Sequence, residues 1–473
     1  MSLADLRTAV SNAWLADEDG VVASILPAAR LSPGERAATD ALATELVTRI
    51  RGARERRSSV DAFTQEYALS SEEGVVLMCL AESLLRVPDA ATADRLIRDK
   101  IGNADWARHL NHSDSLFVNA STWALMLTGR VVNLDDAAKW DFDGIWRKLV
   151  ARTSEPVIRQ AVTLAMRILG KQFVLGRTIE EALKEARTAM ADGYRYSFDM
   201  LGEAAYTQAD AERYLQSYRH ALDAIAKGVP DQYTSALERP SISVKLSALH
   251  PRYEWKKRQR VFDELLPKLI ALAAEARRHN IAFTIDAEES ERLDLMLDIF
   301  EAMGESAPLW KWDGLGLVVQ AYQKRARPVI AWLSELARLQ QRRIPVRLVK
   351  GAYWDTEVKR AQEQGLSDYP VFTRKAATDA SYLACARALL QESETLFPQF
   401  ATHNAHTLSA VQVFAGNRSD FEYQRLHGMG EALYELYRDV KKAQRVGPGT
   451  RIYAPVGTHE DLLAYLVRRL LEN

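Results

Sequence analysis

Chemistry in this chain gathers first in the stretch Val346-Arg347-Leu348-Val349-Lys350-Gly351-Ala352-Tyr353-Trp354-Asp355. Val346, Leu348 and Val349 favour a strand, and Pro345 just ahead blocks a helix. Arg347 and Lys350 then sit inside the apolar run, and a glycine, a tyrosine, a tryptophan and an aspartate follow. Two cations, a flexible point and two aromatics at a strand's C-terminal end suit a flat, anionic ligand. The plainer alternative is an edge strand with solvated charges. Strand alternation would put Arg347 and Lys350 on opposite faces, a conflict for any reading that uses both.

Similar side chains close the other apolar runs. Asp199 is followed by Gly202 and Glu203; Lys245 lies within Ser243-Val244-Lys245-Leu246-Ser247, with His250 beyond. Other runs end in Asp286-Ala287-Glu288-Glu289, in Gln320-Ala321-Tyr322-Gln323-Lys324-Arg325, in His403-Asn404-Ala405-His406, in Leu426-His427-Gly428-Met429-Gly430 and in Tyr453-Ala454-Pro455. Strands that served only a core would not deliver polar groups so regularly to one end.

The elements that must position these groups alternate after Gly176. Strands are expected over 194–201, 242–249, 282–286, 315–320, 346–350, 400–403, 421–426 and 451–454, with amphipathic helices over 258–277, 291–303, 328–340, 376–391 and 458–471. Eight strand-helix units over ~290 residues have the size of a (β/α)8 barrel, whose active site lies at the C-terminal strand ends. A doubly wound open sheet also alternates, but eight units with polar strand ends favour the closed α/β form. In the last helix, Thr458 and Asp461 form a cap, and Leu462, Leu466 and Leu470 make a buried stripe. Its other side carries Tyr465, Arg468, Arg469 and Glu472. Arginine forks hold carboxylates well, although arginines also favour helix C-termini for the dipole alone.

The first third shows helical periodicity and no visible chemistry. A helical arm is expected over 1–60, broken at Ser32-Pro33-Gly34-Glu35, and a helical linker domain over 61–175; the barrel takes 176–473, its last helix covering the mouth. The run Arg49, Arg51, Arg54, Arg56, Arg57 is interleaved with Glu45 and Glu55 and reads as a solvated face. His109 and His112 have helical spacing but no accompanying ligand residues, so no metal site is expected.

Of 473 residues, 47% are hydrophobic and 26% charged, with a formal net charge of -1. Nothing global steers the chain to nucleic acid or an anionic membrane. Cys79 and Cys385 are the only cysteines, which suggests a reducing compartment. With no secretory signal and no run long enough to span a bilayer, the expectation is a cytoplasmic protein; peripheral contact at the inner membrane stays open.

Three chemistries compete. A Schiff-base aldolase would use Lys245 or Lys350. A metal hydrolase would use Asp286, Glu288, His403 and His406, with unconvincing spacing. A flavin oxidoreductase needs clamps and aromatics rather than a strong base, which is what the mouth contains. Gly428-Met429-Gly430 lacks the third glycine of a dinucleotide fingerprint, so any FAD must bind in a barrel-specific manner.

Residues 243–249, 346–355, 400–406, 426–430 and 451–473 together resemble the proline dehydrogenase domain of bacterial proline utilization A, and the resemblance spans most of the chain. It implies a distorted (β/α)8 barrel with noncovalent FAD that oxidises L-proline to Δ1-pyrroline-5-carboxylate and passes electrons to a membrane quinone. It also implies roles for single positions. Arg468 and Arg469 would bind the proline carboxylate, with Lys245 beside it and Asp286 and Leu426 in the pocket. Tyr453 and Tyr465 would pack on the proline ring, Tyr353 beside flavin and substrate, and Glu203 would pair with Arg468 as a gate. Arg347 would lie near flavin N5, making Arg347, Lys245 and Tyr353 the catalytic set. Gln320, Val349, Lys350, Gly351, Trp354, Thr373, Arg374, Lys375, His403 and Glu472 would contact the flavin. A catalytically silent proline- or FAD-binding module is the remaining alternative.

Two departures from the family pattern bear on expectation. Family members continue into an aldehyde dehydrogenase half, whereas this sequence stops at Asn473, so a truncated or isolated domain is expected. Some members begin with a ribbon-helix-helix module; no basic β-ribbon is visible here, so no specific nucleic acid binding is expected.

Overall fold

The computed structural model describes residues 1–52, 173–229, 233, 235–443 and 448–457. Met1–Gly52 and Leu175–Gly457 form one compact unit; a second unit, Ala53–Val174 with Thr458–Asn473, falls almost wholly outside the described residues. The linker helices and the last helix expected from the sequence lie in that second unit, and with them Tyr465, Arg468, Arg469 and Glu472.

Eight parallel strands close on themselves in chain order: β1 (Tyr194–Met200), β2 (Ser241–Val244), β3 (Phe283–Ile285), β4 (Leu315–Gln320), β5 (Ile344–Val349), β6 (Leu396–Ala401), β7 (Glu422–Leu426) and β8 (Gly449–Val456). Closure is set by β1 against β8, paired from Tyr194 with Thr450 to Met200 with Val456. Helices cover the outside, so strands such as β4, Leu-Gly-Leu-Val-Val-Gln, are buried on both faces. Helix α10 (Ala326–Leu339) illustrates the packing: Val329, Ile330, Trp332, Leu333 and Leu336 recur at helical spacing and are all buried.

All eight expected strands form, β4 with the expected ends and the others with shifted ones. The run over 242–249 stops at Val244, because Lys245 is the extended residue ahead of a short helix, α6 (Leu246–Leu249). β5 and β6 start earlier than expected and contain Pro345 and Pro398, which pair with Phe397 and Val346. Proline's fixed φ suits a strand and removes only one donor. The helix expected over 258–277 is two, α7 (Arg258–Glu264) and α8 (Leu266–Arg278). Pro267 lacks the N–H that would continue the helical ladder across Leu265.

The arm is three helices, α1 (Leu3–Asn12), α2 (Glu18–Ala29) and α3 (Pro33–Gly52), packed along the barrel's outer helices. Arg7 bridges Asp294 at 2.7 Å and Asp298 at 3.0 Å, and Arg387 pairs with Glu35 at 3.0 Å. That guanidinium, together with the Ser32 backbone, holds the Glu35 carboxyl down at about 2.

Candidate active site

The barrel interior departs from the layers of branched apolar side chains usual in such folds. Alternate residues of the strands point inward, and here they include Ser197 and Asp199 of β1, Ser243 of β2, Arg347 of β5, Gln399 of β6, Glu422 and Gln424 of β7, and Arg451 and Tyr453 of β8, all but Tyr453 buried. Near the N-terminal strand ends Glu422 accepts from Arg451 Nε and Gln399 Nε2, each at 2.7 Å. Burial raises a carboxyl, but Arg451 and Arg195 outweigh it and leave Glu422 below its ordinary value. Gln424 Nε2 donates to Glu422 at 2.9 Å, and its Oε1 accepts from Arg347 Nε at 2.6 Å.

Arg347 is the hub above that base. Its Nη1 bonds Asp286 Oδ1 at 2.8 Å, its Nη2 bonds Ser243 Oγ at 3.0 Å and Ser197 Oγ at 3.2 Å, and its guanidinium lies 5.0 Å from the Tyr453 ring centre. Tyr453 Oη donates to the other oxygen of Asp286 at 2.6 Å. Burial, then the Asp199 and Asp286 carboxylates, push the Tyr453 hydroxyl well above its ordinary value. It stays protonated and acts as a donor.

Lys245 completes the cluster. Its Nζ is 2.6 Å from Asp199 Oδ1 and 3.5 Å from Asp286 Oδ2, and it donates to Tyr453 Oη at 3.4 Å. Burial alone would strip the ammonium of its proton, but Asp199 and Asp286 facing it outweigh that and hold Lys245 well above its ordinary value. Two cations thus face two carboxyl groups. A Schiff base requires a neutral amine, so this environment opposes the aldolase chemistry.

Tyr322, just past β4, organises a second group. Its N–H donates to the Lys350 carbonyl at 2.7 Å, and its carbonyl accepts from Phe372 N at 2.8 Å. Gly351 lies flat on the ring with φ +135; a Cβ there would meet three ring carbons at 2.5 Å. Lys350 lies beyond the end of β5, so strand alternation does not govern it. It turns outward to Asp379 of α12 (Lys375–Gln391), which Lys375 also bonds at 2.9 Å. Asp379 is held below its ordinary value: burial would raise it, and the two lysines prevail.

The other expected positions have the following partners and places. Arg374 is the N-cap of α12, and Thr373 donates through N and Oγ1 to Glu18 of the arm at 3.0 and 2.8 Å. Trp354 Nε1 donates to the Phe372 carbonyl at 2.9 Å, Gln320 Oε1 accepts from Gln323 at 2.6 Å, and the Val349 carbonyl accepts from Ala321 N at 2.8 Å. Tyr353 is the half-buried residue ahead of α11 (Trp354–Glu363), and Glu203 is half-buried beyond β1. His403 Nε2 accepts from the N–H of half-buried Leu426 at 3.0 Å.

The four residues of the metal-hydrolase alternative are engaged apart. Asp286 serves Arg347 and Tyr453, Glu288 takes the Ser247 N–H at 3.1 Å and Arg292 at 2.9 Å, and His406 lies 3.7 Å from Asp40 of the arm. His250 pairs with Glu264 at 3.1 Å. Sequence reasoning missed Ser197, Ser243, Gln424 and Glu422. The polar residues at every second position of these strands were the available signal.

This arrangement sits on a chain whose residues 182–473 match a family model described as Proline dehydrogenase. The chain belongs to the proline dehydrogenase family. Its residues 4–51 match a model described as the proline utilization A proline dehydrogenase N-terminal domain, and 59–173 one described as the DNA-binding domain of proline dehydrogenase. The last match stands against the expectation of no specific nucleic acid, which rests on the missing basic β-ribbon and the balanced net charge; residues 59–172 of this match lie outside the described ones.

The chain is 50% identical over 473 residues to the bifunctional protein PutA of Salmonella typhimurium, covering 99% of this chain and 36% of that protein. It therefore spans about a third of that relative's length. Proline dehydrogenase 1 of Bacillus subtilis is 27% identical over 313 residues, 65% of this chain and 87% of that protein. A crystal structure of Bradyrhizobium japonicum proline utilization A superposes with a TM-score of 0.71 at 48% identity, covering 97% of this chain and 45% of that chain. Membership makes the chain part of an oxidoreductase family and implies a flavin cofactor. The residues fit that implication: a side-chain-free backbone at Gly351 beside an aromatic ring, and two lysines gathered on one carboxylate, suit a planar ring with an anionic tail.

Among the described residues no helix is long and apolar enough to cross a membrane.

Proposed function

We propose that this chain oxidises L-proline to Δ1-pyrroline-5-carboxylate with noncovalently bound FAD, the electrons leaving to a quinone at a membrane surface. The observation that carries the proposal is the buried Lys245–Asp199–Asp286–Arg347 cluster under Tyr453, at the strand ends of a proline dehydrogenase barrel. Asp199 and Asp286 already face Lys245, so a substrate carboxylate needs cations besides that lysine. Arg468 and Arg469 are the pair assigned to it, with Tyr465 assigned to the substrate ring and Glu203 as the gate acid.

In this reading Tyr453 and Leu426 wall the substrate ring, and Asp286 holds both the tyrosine hydroxyl and the Arg347 guanidinium so that neither can drift. Lys245 supplies a fixed positive charge beside the substrate carboxylate. A bound flavin would supply the hydride acceptor for the substrate's ring carbon. Arg347 would stand beside its reacting edge with a fixed positive charge, and Tyr353 would flank flavin and substrate. Gln320, Val349, Lys350, Gly351, Trp354, Thr373, Arg374, Lys375, His403 and Glu472 would hold the cofactor. Hydride loss needs a neutral amine and close positioning more than a strong base, and the cluster supplies positioning.

The test is the loading of FAD and its reduction by proline without oxygen; protein that cannot be loaded contradicts the proposal. Arg468→Met and Arg469→Met should each raise KM for proline, by about 2 kcal/mol of charged hydrogen bonding. Unchanged proline kinetics in both would remove the clamp. A silent binding module would retain proline yet reduce no quinone analogue.

A further inference from the structure

Residues 368–374 run between α11 and α12 without regular structure, apart from a single bridge of Val371 to Gln323. On the barrel side this segment is tied to the loop after β4 and to α11. Phe372 N donates to the Tyr322 carbonyl at 2.8 Å, Lys324 N to the Pro370 carbonyl at 3.3 Å, and Trp354 Nε1 to the Phe372 carbonyl at 2.9 Å. The arm ties it from the other side. Glu18, in the first turn of α2, accepts on one oxygen from both Thr373 N at 3.0 Å and Thr373 Oγ1 at 2.8 Å. Lys324, its side chain fully buried, donates from Nζ to the Ala16 carbonyl at 2.7 Å and to Asp368 at 3.0 Å. One ammonium thus joins the arm, the β4 loop and the start of the segment. We propose that the arm is a working part of the cofactor site, with Glu18 a positioning residue that fixes the backbone at Thr373 so that Thr373, Arg374 and Lys375 are in place when the flavin binds.

What the segment holds rests on the flavin reading above; the brace itself rests on the contacts. Thr373 lies two residues ahead of Lys375, which Asp379 gathers together with Lys350, so the arm contact and the two lysines bear on the same end of α12. A segment without regular structure costs conformational entropy to order, and a ligand that must order it binds more weakly by that cost. Contacts made in the free protein remove part of that penalty. The rival reading is competition, in which Glu18 withholds the Thr373 donors from an anionic cofactor tail. Packing favours the brace. Ile25 and Ala29 of α2 share one apolar cluster with Phe372, Ala377 and Ala384, and Arg387 Nε donates to the Ala28 carbonyl at 2.9 Å. Moving α2 away would uncover these side chains and leave the buried Lys324 ammonium without the Ala16 carbonyl, which is costly. Glu18 is therefore held at Thr373 by its own helix.

The test compares three variants of the full, flavin-free chain. Glu18→Ala removes the acceptor, and Glu18→Gln keeps an acceptor oxygen at the same reach without the charge. Arg7→Ala cuts a different arm contact, to Asp294 and Asp298 of α9 (Leu293–Glu305). FAD affinity is read by fluorescence titration, and amide hydrogen exchange is followed in peptides covering 368–377. Glu18→Ala should speed exchange across those peptides and raise the Kd for FAD by about fivefold. Glu18→Gln should recover most of both effects, and Arg7→Ala should leave both within about twofold of wild type. Equal loss in Arg7→Ala and Glu18→Ala would mean general loosening of the arm and overturns the proposal. A Kd that falls in Glu18→Ala shows competition and overturns it too, as does unchanged exchange. Wild-type protein that binds FAD with a Kd that Glu18→Ala leaves unmoved overturns the brace alone. Wild-type protein that takes up no FAD, with the exchange pattern as expected, overturns the proposed function.

Discussion

Replacing Arg347 tests whether the cluster is a working site or a polar plug in the barrel. The side chain makes four hydrogen bonds, at 2.6, 2.8, 3.0 and 3.2 Å, and one cation–π contact at 5.0 Å. Arg347→Met removes the charge and leaves Asp286 and Gln424 facing a methyl group. Breaking a buried pair from one side costs about 3 kcal/mol or more, and that much lost transition-state stabilisation slows a reaction by about 150-fold. Arg347→Lys keeps the charge but cannot span Asp286 and Gln424 together, since an ammonium is a compact point and a guanidinium a planar fork. About 2 kcal/mol should be lost in that variant, a ~30-fold reduction. The assay is anaerobic stopped-flow reduction of FAD-loaded protein by proline, with thermal unfolding measured alongside. The expected order is wild type, Lys, Met, the loss falling on kcat more than on KM. Both variants within about threefold of wild type, with unchanged unfolding, would refute this reasoning.

Gly351→Ala should weaken flavin retention and lower the melting temperature together, since the new Cβ meets the Tyr322 ring at 2.5 Å in a backbone with φ +135; the loss is about 2 kcal/mol by analogy with overpacked sites, read by flavin fluorescence titration and calorimetry. His427 is held neutral, its value pushed down to about 4 by burial and then by Arg425. The unfolded chain takes up its proton near the ordinary histidine value, so this contribution to stability is present above about pH 6.5 and is lost as pH falls toward 4. NMR of the His427 ring should show no titration between neutrality and pH 5.5, and His427→Gln should flatten the acid limb of the stability curve. Arg387→Ala should release the Glu35 pairing, so limited proteolysis should cut sooner near Ser32.

The barrel was legible because its signals are redundant. Each strand is an apolar run closed by a polar end, and eight such runs alternate with amphipathic helices. The strand ends shifted where local structure outranked pattern: β2 stops at Val244 because a short helix begins just after the extended Lys245, and prolines proved tolerable within β5 and β6. Arg347 could be singled out, but its partners could not, because Asp286, Gln424, Ser197 and Ser243 come from four strands or strand ends far apart in sequence. The conflict between Arg347 and Lys350 arose from extending β5 one residue too far. The neutrality of the cluster was invisible for the same reason: charge matching depends on distances that no spacing rule supplies.

The central claim is tested most directly by one visible spectrum of the full chain, loaded with FAD, before and after L-proline is added without oxygen. The account predicts a yellow protein whose flavin absorbance bleaches on adding proline and returns on adding a quinone analogue. A flavin-loaded protein whose spectrum proline leaves unchanged would contradict it.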